Sequence, residues 1–388
     1  MYKYTINDLF GKYPKNLIKE SSRIKLLTHT DMDGSGAAVL MKYLKSQDSF
    51  FGLEIVRVHS NQTDATIRRE CLTNWDESYD LVLITDISCT YETAKAISES
   101  GHAYKVVLLD HHKSAVEEKL NQFGFCTIVA EGSAEDSVVR RRQPTGPRII
   151  PRNSSGTSLL YDFINYEGIR VLPRRGWDRY LSLLADSVAA YDTWDWQNPA
   201  MAVNCITRVT VNHKILNALF WYFGAEAWEA IHLSRALSDA CNKMFLETVL
   251  VTEEDKILYD VDQKKCAKTC ENALAGMKVY NASYVVGYNT VSEDKKSPIY
   301  MPYKTALCAA SGYIADVFEA MKKAVPDAEI YMILRDSDSI SMRTDKEIDL
   351  SNIAKLQGGG GHKAAAGISL KGADIVNTAL RITSSIIV

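Results

Sequence analysis

Ile24–Gly34 reads IKLLTHTDMDG, a short, largely apolar run that passes directly into a histidine and two aspartates. Short apolar runs of this kind are what strands covered on both faces look like. Leu81–Ile84 (LVLI) and Val106–Leu109 (VVLL) have the same form. The first is followed closely by Asp86 and the second by Asp110-His111-His112. Glu54–Val58 (EIVRV) alternates and reads as a fourth strand. Helical stretches are expected at Ala37–Lys45 and Tyr91–Ser100, between these strands. Strands alternating with helices predict an α/β fold with a parallel, doubly wound sheet.

In such a sheet the strand ends share the carboxyl edge, where ligands bind. Separate segments therefore deliver His29, Asp31, Asp33, Asp86, His111 and His112 to one place. Asp192, in AYDTWDW, is expected to join them from the end of a helix over Trp177–Ala190. Packed carboxylates repel one another and resist ionising. A pair of divalent cations removes that cost, clamps a phosphoryl group from two sides and generates hydroxide near neutral pH. Mixed carboxylate and imidazole ligands suit manganese. Asp31 and Asp33, two apart, let one loop serve two ions, and Asp86 is placed to bridge them. A single aspartate after a strand is as well explained by a helix cap or a satisfied loop. The joint occurrence is what points to a metal site.

Further along, Thr157–Tyr166 has helical spacing, and Ile215–Val251 is mostly helical without a strong strand signal. After Lys278, strand-like runs return (YVVGY, EIYMIL, SISMRT), with a helix near Leu307–Lys322, which predicts a second, smaller α/β domain. Gly358–Gly361 precede His362 and the stretch Lys363–Gly367 (KAAAG). Consecutive glycines bare their backbone N–H groups to phosphate oxygens. The alanines are expected to start a helix, whose N-terminus favours an anion. Arg343 ends a strand-like run and is a candidate for a terminal phosphate or a base. Arg140–Arg152 (RRRQPTGPRIIPR) holds five arginines, three prolines and a glycine and reads as a loop. It is either a solvated insertion or a phosphate-tracking arm.

Composition sets the frame. A chain of 388 residues has room for two domains with real cores. Its 46% hydrophobic and 24% charged residues are those of a soluble globular protein. No apolar run approaches the ~18 residues that span a bilayer. The opening MYKYTINDLFGKYPK lacks the apolar stretch of a signal peptide, so a cytoplasmic protein without membrane attachment is expected. The eight cysteines are scattered with no CxxC pair, which speaks for reduced thiols and against a zinc ribbon. A net charge of -3 argues against nonspecific coating of long nucleic acid but leaves a small anionic substrate open.

The ordered set THTDMDG, ITDIS, LLDHHKS, YDTW and GGGGH resembles the DHH–DHHA1 phosphoesterases, with Asp110-His111-His112 as the DHH triplet. With TSLLY and YDTWDW, the chain is most similar to bacterial oligoribonucleases of the nano-RNase B type. The motifs span residues 24–367. The resemblance implies a parallel-sheet catalytic domain at 1–214, a helical connector at 215–275 and a smaller α/β substrate-binding domain at 276–388. It implies two divalent cations, manganese foremost, and hydrolysis of short single-stranded oligonucleotides, RNA ahead of DNA. It also accommodates a homodimer. Carried over by position, His29, Asp31 and Asp86 hold one metal, and Asp33, Asp86, His111 and Asp192 the other. His112 faces the scissile phosphate, Asp110 orients a ligand, and Arg343, Gly359, Gly360, Gly361 and His362 bind substrate. The arginine-rich stretch is an insertion relative to that pattern. The enzymatic alternatives are a single-strand DNA exonuclease, a cyclic or linear dinucleotide phosphodiesterase and a 3′-phosphoadenosine phosphate phosphatase. The non-enzymatic one is an inactive nucleotide-binding module, which the intact set of acids and histidines disfavours.

Overall fold

A computed structural model of the chain describes residues 4–47, 51–129, 138–139, 154–169, 179–193, 207–241, 250–292, 295–335, 339–361 and 363–369. The Arg140–Arg152 stretch and His362 lie outside them. The chain divides into two compact units, Met1–Tyr259 and Asp260–Val388.

In the first unit a two-residue strand, β1 (Tyr4–Thr5), precedes the main sheet. That sheet contains β2 (Arg23–His29), β3 (Gly52–Val58), β4 (Leu81–Thr85), β5 (Val106–Asp110) and β6 (Cys126–Ile128). All neighbours are parallel, in the order β3-β2-β4-β5-β6. β7 (Val138–Val139) pairs with β1. β4 and β5 are buried at every position because helices cover both faces. Leu26, Leu83, Val107 and Leu109 pack on one side with the helices Met32–Gln47, Gly156–Tyr166 and Arg179–Asp192. Leu27, Val82, Ile84 and Leu108 pack on the other with Ile67, Ala94 and Ile97. The chain leaves β2 toward β3 on one side and returns to β4 on the other, so the order reverses between β2 and β4. Such a switch point is where parallel sheets of this kind bind ligands at the carboxyl edge. The strand β6, only three residues long, carries no periodic signal that sequence reading could use.

The stretch read as a connector is helical where described, as Thr207–Phe223, Ala225–Cys241 and Glu253–Ala275. Its apolar residues up to Val251 join the first unit's core, among them Leu216, Leu219, Phe220 and the fully buried Trp228. The division between units falls inside the helix Glu253–Ala275, after Tyr259.

The second unit is a six-stranded mixed sheet in the order β12-β13-β11-β10-β9-β8. A long hairpin, β8 (Lys278–Ser292) and β9 (Lys295–Ala309), forms one side. β10 (Ile330–Arg335) runs parallel to β9, and β11 (Ser339–Arg343) antiparallel to β10. Next come β12 (Gly360–Gly361) and β13 (Ala365–Ser369), with β13 between β11 and β12. Two expectations are corrected. The helix near Leu307–Lys322 is Ile314–Ala324, since Leu307–Ala309 complete the pairing of β9 with β10. The alanine-rich stretch after the glycines is strand β13 and not a helix. Ala366 and Ile368 alternate into the core, and five residues pair with β11, which overrides alanine's helix preference. Among the described residues no helix is long and apolar enough to cross a membrane.

Candidate metal centre

β2 ends on His29, and the helix Met32–Gln47 starts three residues later. This tight passage requires Gly34, where a β-carbon would lie 2.2 Å from the His29 carbonyl oxygen. Asp31 closes the turn: its Oδ1 accepts from Gly34 N at 3.0 Å, and its Oδ2 lies 2.6 Å from His29 Nδ1. Asp86 follows β4 in the left-handed region, at φ 62, with its N–H on Leu109 O at 3.1 Å. Aspartate tolerates that conformation better than most side chains, but it is strained, and such strain gathers at functional sites.

The cluster centres on Asp86, which is 2% exposed. His111 Nε2 lies 3.1 Å from Asp86 Oδ1, 3.3 Å from Asp192 Oδ2 and 3.9 Å from Asp33 Oδ2. His29 Nδ1 lies 3.9 Å from Asp86 Oδ2. Three overlapping groups offer ligand atoms within 4.8 Å of one another: His29, Asp31 and Asp86; Asp33, Asp86, His111 and Asp192; and Asp86, Asp110, His111 and His112. Asp86 belongs to all three. Its Oδ2 is buried and has no hydrogen-bond partner among the described residues. A buried carboxylate oxygen in that state is costly, and a cation would satisfy it. The donors are carboxylates and imidazoles, as a hard or borderline divalent ion requires.

Charge crowding shows in the acidities. Burial pushes the Asp86 carboxyl well above its ordinary value, and the charges of Asp31 and Asp33 add to it. Burial also opposes ionisation of Asp31, but the hydrogen bond and charge of His29 outweigh it and hold Asp31 low. His29 is raised in turn: burial lowers it, but the bond to Asp31 and the nearby acid charges prevail.

Asp110 is fully buried at the end of β5. Its Oδ1 accepts from the His111 N–H at 2.8 Å and lies 2.7 Å from His112 Nδ1. Burial pushes its carboxyl up, yet the charge and hydrogen bond of His112 hold it below the usual carboxylate range. Asp110 is thus tied to His112 and shapes the His111–His112 turn.

Sequence reasoning missed the surroundings of Asp33. Its Oδ2 accepts from Gly156 N at 2.6 Å and its Oδ1 from Thr157 N at 3.0 Å, so it caps the helix Gly156–Tyr166. The Thr157 hydroxyl donates to the Asp33 main-chain carbonyl. The available signal was Ser155 and Ser158, which form a capping box ahead of an apolar run. Arg57 was also missed. It donates to His29 O at 3.2 Å and pairs with the buried Glu229, which Lys42 meets at 2.6 Å.

In the second unit Arg343 ends β11, and its Nη1 donates to Ser341 Oγ at 2.7 Å and to Met342 O at 2.9 Å. Arg343 pairs with Ala365, and Gly361 with Ala366, so Arg343 on β11 and Gly360–Gly361 on β12 flank β13. The glycines have structural duties as well. Gly358, at φ 77, follows the helix Leu350–Lys355. A β-carbon at Gly359 would lie 2.1 Å from Gly367 O, and one at Gly361 2.6 Å from Ala365 O. Of the two strand residues Gly360 and Gly361, only Gly360 would have room for a β-carbon.

Comparison with known proteins agrees with these motifs. Residues 309–388 match the DHHA1 domain model. The oligoribonuclease NrnB of Bacillus subtilis is 25% identical over 349 residues, covering 89% of this chain and 72% of that protein. A 3′,5′-cyclic-nucleotide phosphodiesterase of Helicobacter pylori is 20% identical, covering 89% of this chain and 92% of its own. Among solved structures, RecJ of Thermus thermophilus in complex with Mn2+ matches with a TM-score of 0.45 and 15% identity, over 95% of this chain and 52% of that one. With a DHHA1 match over residues 309–388, an Asp110-His111-His112 triplet and an acid–histidine cluster at the sheet edge, the chain carries a DHHA1 domain and is similar to the DHH–DHHA1 phosphoesterases.

Proposed function

We propose that this protein is a two-metal phosphodiesterase that hydrolyses short oligonucleotides to mononucleotides, with manganese as its preferred ion. The observation that carries the reading is Asp86, a buried, strained carboxylate shared by every acid–histidine group at the switch point. Likeness over 89% of the chain to an oligoribonuclease supports the substrate class.

In this reading His29, Asp31 and Asp86 hold one cation, and Asp33, Asp86, His111 and Asp192 the other. Bound divalent ions supply polarisation of the phosphoryl group and activation of water near neutral pH. The residues do the rest. Asp110 fixes His112 through Nδ1, so any proton passed to the leaving oxygen moves through Nε2. Arg343, Gly359, Gly360, Gly361 and His362 bind substrate from the second unit. Catalysis belongs to residues 1–214, substrate binding to 276–388 and the join to 215–275, in a cytoplasmic homodimer acting on RNA ahead of DNA.

The similarity to a 3′,5′-cyclic-nucleotide phosphodiesterase favours a second reading, in which a cyclic nucleotide, cyclic dinucleotides included, is the substrate. One experiment tests both. Metal-stripped protein is assayed with labelled RNA and DNA of two to about twenty-four nucleotides and with cyclic dinucleotides. Activity in excess EDTA should be absent and should return better with manganese than with magnesium or calcium. Full turnover in EDTA sinks the two-metal reading. Preference for a cyclic dinucleotide over every linear oligomer selects the second.

A further inference from the structure

The start of the helix Gly156–Tyr166 touches two of the three acids that His111 faces, Asp33 and Asp86. Two successive amides, Gly156 N and Thr157 N, take one oxygen each of the Asp33 carboxylate, at 2.6 and 3.0 Å. The Thr157 hydroxyl takes the Asp33 carbonyl, so both ends of the residue are held from one point. All of these groups are buried: Asp33 is 1% exposed and Gly156 and Thr157 are in the core. The contact depends on two absent side chains. A β-carbon at Gly36 would lie 2.5 Å from Thr157 Oγ1, so glycine there makes room for the hydroxyl. A β-carbon at Gly156 would lie 2.5 Å from Asp86 Cβ, 2.7 Å from its N and 2.8 Å from its Cα. Gly156 therefore lets the helix start rest directly on the Asp86 backbone.

We propose that Gly156 and Thr157 are positioning residues that set the spacing between Asp33 and Asp86. An aspartate has two rotatable side-chain bonds, and each carboxylate oxygen has two acceptor sites. Giving one site on each oxygen to a fixed amide removes the rotation and leaves one site per oxygen for a cation. Asp86 cannot adjust to compensate, because Gly156 packs on its backbone and its φ is already in the left-handed region. The helix start is thus a gauge held between the two acids, which neither acid could supply for itself. Outer groups that orient ligands typically change metal affinity by about 10–100-fold when removed.

The inference rests on the proposed metal site, and its test separates the two. Full-length protein is stripped of metal and titrated with Mn2+, with free ion followed by electron paramagnetic resonance. Folding is followed by thermal melts in EDTA. Thr157→Val and Gly156→Ala should each bind Mn2+ about 10–100-fold more weakly. Thr157→Ser, which keeps the hydroxyl, should bind like the wild type. If Thr157→Val does not melt cooperatively, Thr157→Ala takes its place against Thr157→Ser. Wild-type affinity in the hydroxyl-less variant and in Gly156→Ala overturns the proposal, as does equal weakness of the serine and valine variants. A wild-type protein that binds no Mn2+ overturns the metal site itself.

Discussion

Asp86 shows at the scale of one residue how function is bought with stability. It is buried, left-handed, surrounded by other acids and has an oxygen without a hydrogen bond among the described residues. Nothing in folding alone favours a charged group there. Asp86→Asn keeps a side chain that tolerates the left-handed region and removes the charge. Turnover should fall by at least ~10³-fold, the size expected for losing an essential catalytic group. Melting in EDTA should show the metal-free variant as stable as the wild type, or more so. A variant that retains turnover, or that melts well below the wild type in EDTA, contradicts this account. The placement of Asp86 was legible in the sequence because a buried strand followed by an aspartate leaves that side chain at the carboxyl edge. Its conformation was not, since φ depends on the Leu109 carbonyl and on Gly156, one in the next strand and the other 70 positions away.

At the scale of the element, the helix Glu253–Ala275 shows how a sequence with weak amphipathic patterning is fixed in place. Thr252 and Asp255 close its first turn reciprocally, with Thr252 N on Asp255 Oδ2 at 2.8 Å and Asp255 N on Thr252 Oγ1 at 3.2 Å. Arg235 then grips both oxygens of Asp255, at 2.6 and 3.0 Å. Burial raises the Asp255 carboxyl, but the bonds from Arg235 and Thr252 overcome it and leave the group below its ordinary value. A lowered folded-state value means stability that is present above the unfolded pKa of about 4 and is lost as pH falls below it. Asp255→Asn should therefore cost about 2–3 kcal/mol at pH 7, less than a fully buried pair because Arg235 is partly exposed. The gap to the wild type should close below about pH 4, as read from urea unfolding across a pH series. A gap that is constant with pH would assign the effect to packing. Elements were legible where period and burial agree, as for β4 and β5 with every position buried. They were not where pairing partners decide, as for β13, whose alanines suggest a helix until β11 and β12 lie beside it.

The acid–histidine cluster lies in the first unit and Arg343 with the glycine run in the second, and the proposed function gives each unit its own job. A group that binds substrate and transition state alike appears in KM and not in kcat. Arg343→Ala should thus raise KM on short oligonucleotides with little change in kcat, and steady-state kinetics on one RNA dinucleotide suffices to check it. An unchanged KM with intact folding would remove Arg343 from substrate recognition. The second sheet was foreseen, because strand-like runs return after Lys278, while the packing of residues 215–251 into the first core was not. Helical periodicity reports a buried face without naming the core that buries it. The sheet order also has a consequence in time. Asp86 is shared with Asp192, which lies about 100 residues later in the chain. At a synthesis rate of about 5–20 residues per second, the ribosome needs about 5–20 s between them. Once His111 is made, a nascent chain carries His29, Asp31, Asp33, Asp86 and His111 but still lacks Asp192 and, for part of the wait, the Gly156–Thr157 helix start. Any ion captured then would meet an unfinished site, so the full set of acids and histidines exists only once Asp192 has been made.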